Sequence, residues 1–409
     1  MPGGRSAPPR CAASDMSAFS GIRVLDLSRV LAGPSCGQLL ADFGADVIKV
    51  EDVGGDENRK WAPVVDGESA NYLSVNRGKR GMTLNLKSAA GQQILAGLVR
   101  KSDVVIDSFL PAVAERLGVD DPKLRTLRPD LIHVTISGYG HDGPLAAKPG
   151  YDLMLQAFSG MMAMTGERDG GPIRAGASFI DMATGMLAFS GVSAALYARL
   201  AGKAAGQHIR VSLLETAIAL LGYHVPAYTL AGKLPPRDGS GVWHIVPYQA
   251  FRTRDGYVLA GATNDAAWQR LCTAIDATEL GSNPAYATSA SRIENREPVI
   301  AGLSKIFATR ETEAWVRLLD AANVPCSPVN DIAQTLAHPQ VAAMQMVLDV
   351  ERKTGGTLRL AGVPLNLSAT PAQPGGAPPR LGEHTDEILK EELGLDDVRI
   401  AALRKEGAI

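Results

Sequence analysis

Three segments in close succession set the topology class of this chain: IRVLDL (22–27), SCGQLLADFG (35–44) and DVIKVE (46–51). The first and third are short β-branched runs that read as buried strands. The second spaces Leu39, Leu40 and Phe43 along one helix face and ends at Gly44, which suits a left-handed helix terminus. Two strands joined through a helix run parallel, because the crossover carries the chain back to its starting edge. The alternation continues with Gly81–Leu86, Ala89–Arg100, Asp103–Asp107, Pro111–Leu117 and Leu131–Ser137 as strand, helix, strand, helix and strand. Residues 152–164 and 182–201 read as helices, and Gln207–Val211 as a strand leading into a helix over Ser212–Leu221. The expected class is α/β, with a large doubly wound, Rossmann-like parallel sheet covered by helices on both faces.

The pattern changes after residue 225. A Pro/Gly/Ser stretch marks a linker over 226–245, and a smaller α+β domain follows over 246–345. Within it, strands Tyr248–Thr253 and Tyr257–Ala260 flank an Asp-Gly hairpin signal. Amphipathic helices are expected at Ala266–Ile275, Glu297–Phe307 and Glu311–Ala322. A second linker, 346–380, leads to a helical segment, 381–409, that rejoins the large domain, itself spanning 18–225. Residues 1–17 are rich in Ala, Ser, Pro and Gly and read as a flexible tail, an over-long start before Met16, or a short targeting segment.

Charge narrows the function classes. The 41 basic and 43 acidic residues leave a net charge of −2, so no global field draws the chain to nucleic acid or anionic lipid. Aromatics make up 5% of the chain, too few for a base-stacking platform. The apolar stretches, such as Thr216–Leu221, are shorter than the ~20 residues of a membrane span. Cys11, Cys36, Cys272 and Cys326 lie far apart, which fits a reducing, cytoplasmic setting. The seven histidines have no ligand spacing, so no metal is expected.

Gly138-Tyr139-Gly140-His141-Asp142-Gly143 matches a dinucleotide fingerprint, but Pro144 and Lys148-Pro149-Gly150 follow where a helix should open. No P-loop and no G-x-S-x-G occur. Basic residues instead gather in loops after strands: Arg29, then Arg77, Lys79 and Arg80 in VNRGKR, then Arg116. Such loops project from the ligand-binding edge of a parallel sheet, and a 3′-phosphorylated ADP needs several cations. A solvated basic turn explains the same residues. Asp181, in IRAGASFIDMATGM, precedes a long helix. It reads as a helix N-cap, or as a carboxylate nucleophile kept ionised by the helix N-terminus, with Gly185 leaving room for substrate.

The segments VLDLSRVLAGP…LLADFGADVIKVE, NYLSVNRGKRGMTLNLK, SGYGHDGP, PGYDLMLQAFSG, GASFIDMATGM, IVPYQAFRTRDGYV and LGEHTDEIL occur in one order between residues 24 and 389. Together they resemble the class III CoA-transferase family, which includes formyl-CoA:oxalate and crotonobetainyl-CoA:carnitine transferases. The resemblance implies that Asp181 attacks an acyl-CoA to give an aspartyl anhydride and then an aspartyl-CoA thioester. It places CoA against Arg29, Val30, Ala32, Asn76, Arg77, Lys79, Arg80, Phe109 and Arg116. It implies no tightly bound cofactor, the CoA thioester being a substrate, and an interlocked, ring-like homodimer.

Two departures refine this expectation. The related α-methylacyl-CoA racemases carry G-H-D-x-N-Y where this chain has Gly150-Tyr151-Asp152-Leu153-Met154, without the histidine. The formyl-CoA enzyme's tetraglycine loop is also absent, leaving Asp238-Gly239-Ser240-Gly241. RVLAGP and HIVPYQAFRTRDGYVLAGATND are similar to the succinyl-CoA:dicarboxylate branch. The expected activity is CoA transfer from an acyl-CoA such as succinyl-CoA to a small carboxylic or dicarboxylic acid. Tyr139, Tyr151, His244 and Tyr248 are candidates to contact the acceptor, with hinge packing the other reading of the last two. A racemase or dehydratase on the same scaffold is the alternative, with a dinucleotide oxidoreductase as a rival from another class.

Overall fold

The computed structural model describes residues 17–353 and 355–409, so the expectations for the N-terminal tail lie, apart from Ser17, outside the described residues. The chain forms two compact units. One runs through Ser159 and then takes in Ala177–Leu220 and Ala342–Ile409; the other comprises Gly160–Gly176 and Leu221–Val341.

The first unit is built on six parallel strands: β1 (Arg23–Asp26), β2 (Asp46–Glu51), β3 (Arg80–Thr83), β4 (Val104–Asp107), β5 (Ile132–Ser137) and β6 (Gln207–Ser212). Their order is β3-β2-β1-β4-β5-β6. This is the doubly wound arrangement, in which the direction of winding reverses between β1 and β4. Side chains alternate across a strand. Leu25, Ile48, Val50, Met82 and Val105 therefore share one face, in a core with the helices α2 (Ala89–Lys101), α3 (Pro111–Leu117) and α4 (Asp121–Leu127). α1 (Ala32–Asp42) and the long α6 (Phe179–Leu200) pack on each other and against the sheet, with α5 (Asp152–Phe158) and α7 (Leu213–Leu220) beside α6.

α6 is the one helix among the described residues long and apolar enough to cross a membrane, in contrast to the expectation that every apolar stretch is too short. Ile180, Thr184, Ala188, Val192 and Ala195 form its buried stripe. The single helix expected over 152–164 is broken at Gly160, whose φ of +92° ends α5; Met162–Met164 forms a separate 3₁₀ turn.

The C-terminal helices Thr385–Leu393 and Asp397–Lys405 add Ile388, Leu389, Ile400 and Leu403 to the first unit's core. Arg23 and Arg80 of β1 and β3 bond Glu392 and Glu391 at 2.7 and 2.9 Å. The stretch 346–380 is not all linker: Val347–Glu351 and Thr357–Ala361 pair as an antiparallel hairpin. In the second unit, Tyr248–Arg252, Tyr257–Gly261 and Cys326–Pro328 form an antiparallel sheet. Its core stacks Phe251 on Phe307 at 4.7 Å and buries Trp268 and Trp315. The helix His224–Ala231 runs into the span expected to be the first linker.

Candidate active site

In a doubly wound sheet, ligands bind beyond the carboxyl ends of the strands where winding reverses. Here that place is the pair of loops after β1 and β4, Ser28–Leu31 and Ser108–Leu110. The first loop is held by buried groups on every side. Asp26 accepts hydrogen bonds from the Ser28 amide and hydroxyl, and the Lys49 ammonium donates to the Ser28 carbonyl. Val30 has φ of +68°, a left-handed conformation unfavourable for a β-branched residue. Its amide donates to Asp56 Oδ2 at 3.1 Å and its carbonyl accepts from Asn58 Nδ2 at 2.7 Å. Beneath the loop, Lys79 Nζ donates to Asp26 Oδ2, the Pro34 carbonyl and Asn76 Oδ1 at 2.7–2.8 Å. Burial opposes the charge on Asp26, but Lys49 and Lys79 outweigh it and hold its pKa below the usual carboxylate range.

This arrangement divides the expected CoA-site residues into two groups. Arg29, Val30, Ala32 and Phe109 line a cavity of about 850 Å³ that also contains Asp181. The Arg29 guanidinium lies 5.2 Å from the Phe109 ring centre. Arg116 lines an adjoining cavity of about 660 Å³, which shares Arg29 and Phe109 with the first. Asn76, Arg77, Lys79 and Arg80 line neither. Arg77 is buried and bonds both Asp42 oxygens and the Ala361 carbonyl, while Arg80 pairs with Asp46 and Glu391. Both guanidiniums are committed to carboxylates of the fold, and Asn76 and Lys79 support the Ser28–Pro34 segment. Lys60 and Lys87 are further exposed cations of the second cavity, outside the expected set. Lys87 follows β3 as Arg29 follows β1, so the same loop-after-strand signal covers it.

Asp181 is not a helix cap. It is the third residue of α6, whose N-cap Ser178 makes no side-chain capping bond. The cap comes from another helix: Asp152 Oδ2 accepts from the amides of Ile180 and Asp181 at 2.8 and 3.1 Å. The helix N-terminus therefore does not hold Asp181 ionised as expected. Burial first, and then the charge of Asp152, push its pKa up to about 7. Gly185, one turn on, makes room for protein and not for a ligand. A Cβ there would overlap Ser35 Oγ and lie 2.6 Å from the Ala32 carbonyl, so glycine permits the close crossing of α1 and α6.

The same cavity is also lined by a cluster that sequence spacing does not reveal. β5 and β6 pair His133 with His208, and their rings stack at 4.7 Å with planes 5° apart. His133 Nε2 lies 2.7 Å from Asp107 Oδ2 and its Nδ1 3.2 Å from Asp121 Oδ1. Burial opposes a charge on His133, but hydrogen bonds to the two aspartates outweigh it and raise its pKa. Burial and the His133 charge push His208 down to about 4. One ligand-type atom each of Asp121, His133 and His208 lie within 4.8 Å of one another. Parallel stacked rings do not aim their lone pairs at one point, and the geometry matches an imidazole held between two carboxylates better than a metal centre.

Of the tyrosines, Tyr151 lines the Asp181 cavity. Tyr139 is buried, edge-on to Phe158 at 5.3 Å, and is not on that wall. His244 and Tyr248 belong to the second unit, where His244 packs edge-on to Tyr223 and Trp243. The 138–143 glycine motif opens no helix; Gly138 lies so close to Gly150 that a Cβ would come within 2.7 Å of its backbone.

Residues 19–385 match the pattern of CoA-transferase family III. The chain is 36% identical over 404 residues to a human succinyl-CoA:glutarate CoA-transferase, covering 98% of this chain and 92% of that protein. It is 39% identical over 387 residues to a succinate–glutarate CoA-transferase of Agrobacterium fabrum, covering 91% of this chain and 95% of that protein. A crystal structure of a CAIB/BAIF family protein from Brucella suis superposes with a TM-score of 0.84 at 34% identity, covering 92% of this chain and 99% of that one.

Proposed function

This chain belongs to CoA-transferase family III, and from that premise we propose that it moves CoA from succinyl-CoA to a small dicarboxylic acid, with Asp181 as the nucleophile. The observation that carries this reading is a buried carboxylate, Asp181, in one cavity with the Arg29–Ala32 loop and Phe109, beside a second cavity edged with cations. The thioester end of CoA faces Asp181, and its phosphates lie among Arg29, Lys60, Lys87 and Arg116. Exposed cations suit phosphates, whereas Lys79 and Arg77 are buried and already paired with Asp26 and Asp42.

The transfer needs no oxidant or reductant. An Asp181 oxygen attacks the thioester carbonyl, the carbon–sulfur bond breaks, and CoA leaves as thiolate from a mixed aspartyl anhydride. The thiolate attacks the aspartyl carbonyl, giving an aspartyl-CoA thioester and free succinate. The acceptor carboxylate displaces the thiolate to form a second anhydride. The thiolate then takes the acceptor's acyl group and restores the Asp181 carboxylate.

The active form in this reading is a homodimer in a reducing, cytoplasmic compartment. Leu153, Met154, Phe158, Met186, Leu187 and Ile218 of α5, α6 and α7 expose large apolar side chains that a second copy would cover. Cys36, Cys272 and Cys326 are free thiols.

Incubation with succinyl-CoA and glutarate, followed by mass spectrometry, is expected to show glutaryl-CoA, and a panel of other acids ranks the acceptors. Asp181→Ala should abolish exchange. Normal exchange by that variant would remove Asp181 as the nucleophile.

A further inference from the structure

Two carboxylates meet at the first turn of α6, and only one of them receives the helix amides. Asp152 is 5% exposed and Asp181 8%. Asp152 Oδ2 takes the Ile180 and Asp181 amides, and Gln156 Nε2 donates to its Oδ1. These amides are the groups that make a helix N-terminus a site for negative charge. With Asp152 on them, the carboxylate of Asp181 sits beside the dipole's positive end but without its hydrogen bonds, and beside a like charge.

We propose, on the reading of Asp181 as the nucleophile, that Asp152 is a positioning residue for the transfer reaction: its carboxylate occupies the N-terminus of α6 in place of Asp181 and sets a like charge beside it, and that charge makes Asp181 the stronger nucleophile. Asp152 touches neither thioester nor acceptor in this role. Nucleophilicity and proton affinity rise together, so a carboxylate with a raised pKa attacks faster once ionised, and it gains most when that pKa lies near the working pH.

The other ionisable groups on elements packed against α6 are Cys36 and Asp42 of α1, His133 of β5, His208 and Arg210 of β6, and Glu215 of α7. None of them contributes to the shift on Asp181, which comes from burial and from Asp152. Glu215 is held by the Ser212 hydroxyl and Asp42 by Arg77.

The test is the pH profile of kcat/KM for succinyl-CoA:glutarate exchange in the wild type, Asp152→Asn and Asp181→Asn. In the wild type the acidic limb should have its midpoint near pH 7, following ionisation of Asp181. Asparagine at 152 still accepts the two amides but carries no charge. Asp152→Asn should therefore fold, move the acidic limb down by about one pH unit, and lower the plateau several-fold. A residue that only caps the helix would leave the limb in place, and an unmoved limb in folded Asp152→Asn overturns the proposal. If that variant does not fold, Asp152→Ser supplies a neutral cap and is read the same way. Loss of folding in both would make Asp152 a structural cap alone and also overturn it. Exchange surviving in Asp181→Asn would instead overturn the nucleophile itself, whatever Asp152→Asn does.

Discussion

An ordinary aspartate ionises near pH 3.9, whereas Asp181 is buried beside Asp152 with its pKa pushed up to about 7. The difference is a statement about stability as well as reactivity. A carboxyl whose pKa is higher in the folded chain favours folding most below the unfolded value, and that contribution is lost as pH rises through the folded one. Stability therefore declines between about pH 4 and pH 7 on account of this residue. Replacing it removes the penalty: Asp181→Asn should abolish exchange yet stabilise the fold above pH 7 by on the order of 4 kcal/mol, at ~1.4 kcal/mol per pKa unit. Thermal or denaturant melts at pH 8 and pH 4 check this, because the gain should be absent at the lower pH. Equal effects at both would mean that Asp181 is not strained by its charge. The type and neighbourhood of Asp181 could be read from DMATGM, but its state could not. The sequence placed it at a helix start, where ionisation is favoured; the opposing carboxylate, 29 residues earlier, enters from another helix.

Elements show the same division. The strands at Asp46–Glu51 and the helix at Pro111–Leu117 occur where their local patterns placed them. Periodicity and capping residues act over a few neighbours, so they can be read in one dimension. What α1 and α6 do to each other could not be read that way. Gly185 looked like space for substrate, and instead it lets α6 cross against Ala32 and Ser35 at the mouth of the loop after β1. Gly185→Ala should therefore cost roughly 1–3 kcal/mol through overpacking, against a gain of at most about 1 kcal/mol in helix propensity. It should also lower kcat/KM, because Ala32 lines the cavity of Asp181. Denaturant unfolding and exchange kinetics on one preparation check both effects. A variant as stable and active as the wild type would show that the crossing relaxes at no cost.

For the whole molecule, the expected surface of contact is the apolar face on α5, α6 and α7. Leu187 is 47% exposed, so Leu187→Glu should change the stability of an isolated chain by no more than about 0.5 kcal/mol. In a homodimer the same change buries a charge and should shift the protein to monomer, read by size exclusion with light scattering. A dimer unaffected by Leu187→Glu would place the interface elsewhere. The parallel α/β sheet and the cations after its strands were foreseeable, because each is written in short contiguous patterns. The pairs that give those residues their roles are not contiguous: Lys79 with Asp26, His133 with His208, Asp152 with the first turn of α6. Lys79 and Arg77 looked like phosphate ligands until folding paired them with buried aspartates. A residue's type and local setting belong to its stretch of chain. Its burial, partners and proton affinity are sums over neighbours from remote segments, and they exist only once the sheet has brought those segments together.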